Sequence, residues 1–322
     1  MKSWRISVEP GGNVIEGEPT EGDGGPRDGA LVWIQIDGRN PAYLDWLHER
    51  SGLSAPVVSA LTAVETRPRC EQIGEGALIN LRGLGETPED DPDSLVSIRL
   101  WAERGRVISM GYRRLAAMPA LRAKVLAGQI GDPGDLVSAL AMAITETLDE
   151  AIAALGDDLD ECETTLDAKR AFVMRRQIAQ TRSEAIQYRR FVVPQRQALE
   201  RMAALPVAWL EDDDRLHLRE AADRFARMAE ELEASRERAA LMHEQLTDLR
   251  AEQLETRTLT ISIVALVFLP LTFLTGLLGM NVEGIPFAHA PWAFWRGLGL
   301  RRRRRADRRL FRPRALVSWV SC

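Results

Sequence analysis

LTISIVALVFLPLTFLTGLLGMN, residues 259–281, decides what kind of protein this is. From Thr258 to Val282 there are 25 residues without a charge, bounded by Arg257 and Glu283. A helix needs roughly 20 apolar residues to cross the hydrocarbon core of a bilayer. The buried helix of a soluble domain is usually shorter and keeps one polar face, and a signal peptide stands at the N-terminus. The pattern therefore predicts a transmembrane helix over 258–278.

Charge divides at the same place. Ten of the 42 basic residues but only two of the 47 acids follow Thr258, so the body carries a net −13 and the remainder +8. An acidic body repels nucleic acid and attracts cations, and no nucleic-acid partner is expected. Cys70, Cys162 and Cys322 lie far apart, as do His48, His217, His243 and His289. This scatter excludes a disulfide framework and any zinc-ligand spacing. No nucleophile–base pair, phosphate-cradling glycine loop or HExxH motif is present, so an enzyme is not expected, nor a covalently bound cofactor. The N-terminus has no signal segment, which puts the body in the cytoplasm and the span in the inner (plasma) membrane.

Working backward from the span, residues 212–269 contain no Gly or Pro. Asp212, Asp213 and Asp214 suit the first turn of a helix, which can run into the membrane as one rod of roughly 100 Å. Phe225, Met228, Leu232, Ser235, Ala239, Met242, Leu246 and Leu249 form a heptad seam along it. The seam suits packing on the preceding helices, self-association, or both. One preceding helix is marked by Leu136, Leu140, Ile144, Leu148, Ile152, Leu155 and Leu159 in three- and four-residue steps. Another covers 166–204, interrupted by Pro194. Acids at Asp157, Asp158, Asp160, Glu161 and Glu163 surround Cys162 and suit a solvated helix face or a cation-collecting surface.

Before GDPGD at 131–135 the pattern is α/β. A strand is expected at 30–36 and helices at 41–51, 55–64 (Ser54 as N-cap) and 115–126. Strand pairs flank GEG (71–73 with 77–81) and ERG (95–102 with 106–110), both hairpin signals. PEDDP at 88–92 reads as a turn. The organisation is thus a loose or short-stranded segment 1–28, an α/β domain 29–130 and a helical stalk domain 131–257. A pore helix 258–278, an outer loop 279–291 and an Arg-rich tail 292–322 follow. The fold class is an α+β cytoplasmic domain, then long stalk helices, then a C-terminal transmembrane helix.

The span carries Pro270 within LPLTFLTG and ends in Gly279-Met280-Asn281, followed by Val282-Glu283-Gly284-Ile285-Pro286. In that setting the chain resembles the CorA family of divalent-cation transporters, whose signature is GMN at the outer end of the first transmembrane helix. NVEGIP and ETRPRCEQIGEGALINLRG (65–83) are more similar to the zinc-transporting ZntB branch than to the magnesium channels, which tend to have a Met-Pro-Glu loop. The resemblance covers roughly 30–295. It implies a homopentameric funnel in a lipid bilayer, with one pore helix per subunit. The cargo would be Zn2+, with Mg2+, Co2+ or Ni2+ as the family alternative, and protons as a possible coupling ion. Five Asn281 amides would meet the ion's water shell at the mouth, with Glu283 carboxylates nearby and Gly279 permitting the turn. Thr258, Ser262, Ala265, Leu269, Thr272 and Gly276 would face the pore, Thr272 as a polar ring and Leu269 as a constriction. The hydroxyls of Thr272 and Thr275 have another use, a bond to the carbonyl freed by Pro270, preferred for Thr275.

A second span should follow, and it begins with Pro291, Trp292 and Trp295. Arg296 then interrupts, and RRRRRADRRLFRPR (301–314) follows only four apolar residues. Charges cost roughly 2.5–3.5 kcal/mol each at a bilayer centre. A lost or frame-shifted second helix is expected after about Trp295. A genuine lipid-gripping tail on a single-span coiled-coil scaffold is the competing expectation.

Overall fold

The structure is a computed structural model, and it describes residues 3–20, 25, 30–63, 67–86, 95–165, 171–279, 290 and 292. The chain divides into two compact units, Met1–Ala251 and Glu252–Cys322.

The first unit is built on a seven-stranded mixed sheet in the order β2-β1-β3-β7-β6-β5-β4. Its strands are β1 (Trp4–Val8), β2 (Val14–Gly17), β3 (Leu31–Asp37), β4 (Arg69–Ile73), β5 (Gly76–Leu84), β6 (Leu95–Glu103) and β7 (Arg106–Gly111). Only β3 and β7 pair in parallel; the other pairings are antiparallel. Both predicted hairpins form. Ile73 pairs with Gly76 and Glu103 with Arg106, leaving two-residue turns in which Gly74 and Gly105 hold φ of +60° and +71°. A two-residue hairpin turn demands that left-handed backbone, which glycine adopts without steric cost.

The opening segment takes its short-stranded form, and the sheet starts well before residue 29. All five residues of β1 are buried, because Trp4, Ile6 and Val8 alternate toward the core. PEDDP lies outside the described residues. Helices α1 (Pro41–Glu49) and α2 (Ala55–Thr62) cover one face of the sheet, around Ile34, Trp46, Leu61 and Met110. Asn40 caps α1 by accepting the Ala42 N–H at 3.1 Å. Ser54 precedes α2 with extended backbone but makes no side-chain cap bond, so the expected cap is absent.

The other face carries α3 (Met118–Leu126), α4 (Pro133–Thr164), α5 (Ala171–Ala203) and the first part of α6 (Asp212–Leu278). The seven leucines and isoleucines of the α4 stripe are all buried. The α6 seam is buried from Phe225 to Leu246 against the same clusters, so within this chain it packs on the preceding helices. Helix α3 begins three residues later than expected, at Met118. Helix α5 corrects a second expectation, since it runs straight through Pro194. The neighbouring Gln195 ties it to the sheet. The β4 ladder stops at Arg69↔Asn80, and two residues on, the Gln195 amide takes its place. It accepts the Arg82 N–H at 2.6 Å and donates to the Arg82 carbonyl at 2.8 Å. After α5, the Arg215 guanidinium donates to the carbonyls of Ala203, Leu205 and Val207 at 2.7–3.3 Å. These include groups that a helix end leaves without intrahelical donors.

Where α4 and α6 begin, two acids act as caps. Asp132 accepts the Asp135 N–H at 2.9 Å, and buried Asp214 accepts the Glu211 N–H at 2.9 Å and the Ser138 hydroxyl at 3.3 Å. Burial first, then Asp132 and Asp135 nearby, push the Asp214 carboxyl up to about 6. Gly134 makes room for it: a Cβ there would stand 2.1 Å from Asp214 Oδ2.

Candidate functional site

The C-terminal part of α6, from Glu252 onward, belongs to the second unit. It is the one helix among the described residues long and apolar enough to cross a membrane, and its apolar window is wholly unburied. Leu259, Ile261, Ile263, Val264, Leu266, Phe268, Leu269, Phe273, Leu274 and Leu277 are all exposed. A helix apolar on every side needs either a protein interior or lipid around it. Its threonine hydroxyls are satisfied within the helix. Thr256, Thr258 and Thr260 donate to the carbonyls four residues back at 2.8–2.9 Å. Such back-bonds let threonine sit in an apolar medium.

Thr258, Ser262, Ala265, Leu269, Thr272 and Gly276 are all exposed on α6. Their steps of four and three place them within an arc of about 80° at 100° per residue. They share a face of the helix through their own spacing. The helix ends at Leu278. A Cβ on Gly276 would meet nothing within 4 Å.

Pro270 has no N–H, which frees the carbonyl of Leu266. Neither threonine takes that carbonyl: Thr272 Oγ1 donates to Phe268 O at 2.9 Å and Thr275 Oγ1 to Thr272 O at 3.0 Å. Both side chains therefore back-bond, but to other acceptors than expected. Gly279 follows the helix and donates its N–H to Thr275 O at 3.0 Å and Gly276 O at 3.3 Å. Its backbone is not left-handed, and the turn expected to follow it falls on Met280 and Asn281, outside the described residues. An added Cβ would press on the Thr275 carbonyl at 3.1 Å. Met280, Asn281 and Glu283, the rest of the expected mouth, lie outside the described residues.

No group of three or more His, Cys, Asp or Glu able to hold a metal ion occurs among the described residues. In the acidic run around Cys162, Asp160 and Glu163 both accept from Arg238. Burial raises the Cys162 thiol, and raises Cys70 to about 12. Both thus stay protonated at neutral pH, when a metal ligand must be thiolate. Nothing in the sequence pointed to the Gln195 clamp, and Asp214 was placed at the start of α6 without its burial or its bond to Ser138. The Asp-rich start of α6 was the only signal for the second.

A mixed α/β domain, long helices and one uncovered apolar helix reaching Gly-Met-Asn define an integral membrane protein with a large polar body. The sequence matches the family of CorA-like Mg2+ transporter proteins over residues 28–301. It is 34% identical over 264 residues to the zinc transport protein ZntB of Pectobacterium atrosepticum, covering 82% of this chain and 80% of that one. It is 34% identical over 267 residues to the divalent cation transporter CmaX of Pseudomonas aeruginosa, again covering 82% and 80%. The structure of full-length CmaX superposes with a TM-score of 0.76 at 29% identity, over 96% of this chain and 97% of that one. The CorA magnesium transporter of Methanocaldococcus jannaschii shares the fold, with a TM-score of 0.76 at 17% identity over 93% and 94%. The chain belongs to the CorA-like Mg2+ transporter family: it is a divalent-cation transporter and not an enzyme.

Proposed function

We propose that the chain carries Zn2+ across the inner (plasma) membrane, as a homopentamer whose α6 segments line a central pore with Gly279-Met280-Asn281 at its mouth. The observation that carries this reading is the apolar end of α6, uncovered on every side and running into the first residue of that tripeptide. The segment holds no Asp, Glu, Lys, Arg or His between Thr258 and Val282. The ion would therefore cross on water, hydroxyls and amide oxygens rather than on carboxylates, and any proton coupling would use other groups. Zinc is placed first because of the likeness to ZntB. Magnesium, with cobalt or nickel, is the second reading, favoured by the family's own description. The acidic body would face the cytoplasm, as in the ZntB cytoplasmic domain from Vibrio parahaemolyticus, which shares its fold.

We further propose that the sequence after about Trp295 has left the family's course. The family match ends at residue 301, the first of five consecutive arginines. Residues 296–322 hold no second apolar run to surround the pore, so the chain as written is expected to assemble poorly and transport little. Translating the other frames of the gene past Trp295 tests this directly. A frame encoding about 20 apolar residues is expected; its absence leaves the tail genuine and the lipid-gripping scaffold the better reading. For transport, liposomes holding the protein with that helix restored should take up Zn2+ ahead of Mg2+. Uptake measured with and without a pH gradient reports the coupling, and faster Mg2+ entry selects the second reading.

A further inference from the structure

Helices α4 and α5 carry opposite charge. From Pro133 to Thr164, α4 holds nine acids and no Lys or Arg, whereas α5, from Ala171 to Ala203, holds seven arginines and two glutamates. On a body of net −13, α5 is the exception. The charges form stripes on the outer side of each helix. On α4, Glu146, Glu150, Asp157 and Glu161 are exposed and fall within an arc of about 60°. On α5, Arg176, Ser183 and Arg190 are exposed at seven-residue spacing, within about 40°. Leu159 and Cys162 share a buried cluster with Met174 and Ile178, which sets the two helices side by side as an antiparallel pair. Arg176 therefore lies level with Asp157 and Glu161, and Arg190 level with Glu146. Yet none of these charged stripe residues makes an ion pair among the described residues. The ion pairs that α4 and α5 make with another helix go to α6, as in Arg189 with Glu233 at 2.9 Å and Glu163 with Arg238 at 2.8 Å.

We infer that the acidic α4 stripe of one protomer docks on the basic α5 stripe of a second copy of this chain. The inference rests on the proposed homo-oligomer and names two surfaces that meet in it. A surface that serves solubility alone intersperses the two signs; here they are segregated helix by helix. Within one chain each stripe points away from its helix's buried side, and the two do not meet. Rotation about an axis along the helices preserves height. Arg176 of one copy would then meet Asp157 and Glu161 of the next, and Arg190 would meet Glu146. Contact between two different patches is heterologous and closes into a ring when the rotation allows. Contact between two identical stripes would set like charges together, which is disfavoured. Between the charges the stripes are small or apolar, with Ala153 and Ala154 exposed on α4 and Ile186 on α5. The helices can thus approach closely while the charges at either end fix the register.

Disulfide cross-linking of the detergent-solubilised full chain, in a Cys322→Ser background, tests the inference. Ala153→Cys is made in one batch and Ser183→Cys in another, both positions being exposed and level with each other in the stripes. After mixing and copper-catalysed air oxidation, the mixture should yield at least about fivefold more linked dimer than either batch alone. Cross-linking traps transient pairing, so the chain as written serves. Raising salt from about 0.1 M to about 1 M shortens the Debye length from about 10 Å to about 3 Å and should lower the yield about threefold or more. Arg176→Glu/Arg190→Glu in the Ser183→Cys chain should lower it as far. Glu146→Arg/Asp157→Arg in the Ala153→Cys partner should then restore it, which misfolded chains would not do. No dimer in the mixture would overturn the inference and leave both stripes to solvent. A yield indifferent to salt and charge reversal, or equal yield from Ser183→Cys chains alone, would overturn it too. Pentamers of the chain with a restored second helix that lack this cross-link would refute the interface and leave the oligomer standing.

Discussion

Asp214 shows how one buried carboxylate can set the pH response of the body. Its carboxyl ionises near 6 in the folded chain against an ordinary 3.8. The native state therefore holds more protons than the unfolded state between those values, and stability falls as pH rises through that window. Above it the contribution is constant, and the buried charge costs about 3 kcal/mol. Asp214→Asn keeps an acceptor for the Glu211 N–H and removes the charge. Thermal unfolding of the variant should show a raised Tm at pH 7.5 and little change at pH 4. An equal shift at both would contradict the assignment. Gly134 supports the same spot, since an added Cβ would also meet the Trp209 carbonyl oxygen at 2.9 Å. Gly134→Ala is expected to destabilise the body by roughly 1–3 kcal/mol in urea unfolding. At the end of α6, Gly279→Ala acts on the helix terminus, where the added Cβ would press on the Thr275 carbonyl.

The elements were legible to different degrees. Amphipathic period revealed α4 and the α6 seam, because seven buried positions on one stripe leave a pattern that no loop imitates. Both hairpins announced themselves through glycine at turns that need left-handed backbone. Strand β1 was harder to see, being five residues long within a glycine- and acid-rich stretch. It pairs with the four-residue β2 just after it and with β3 more than twenty residues further on. Pro194 misled for a related reason. Proline removes one helix bond, but a 33-residue helix packed on the sheet tolerates the loss. The Gln195 clamp depends on where β4 happens to stop, which no local pattern encodes. Its removal makes a direct test: Gln195→Ala deletes both bonds to the Arg82 backbone and should cost about 1–3 kcal/mol. Denaturant unfolding that matches the parent chain would show the clamp to be incidental.

For the whole molecule, one sequence feature outweighed the rest. The uncharged run from Thr258 to Val282 named the membrane, and its Gly-Met-Asn ending named the family. A cavity beside α3 was not legible, because β1, β3, β6, β7 and α3 contribute its walls from distant parts of the chain. The central claim is that Asn281 stands at the mouth of a divalent-cation pore. Zinc flux into liposomes, comparing the chain carrying a restored second helix with its Asn281→Ala variant, tests this most directly. Saturable Zn2+ entry that falls at least about tenfold in the variant, with oligomer size unchanged, is the predicted result. Entry of equal rate in both proteins, or no entry of any divalent cation into either, would contradict it.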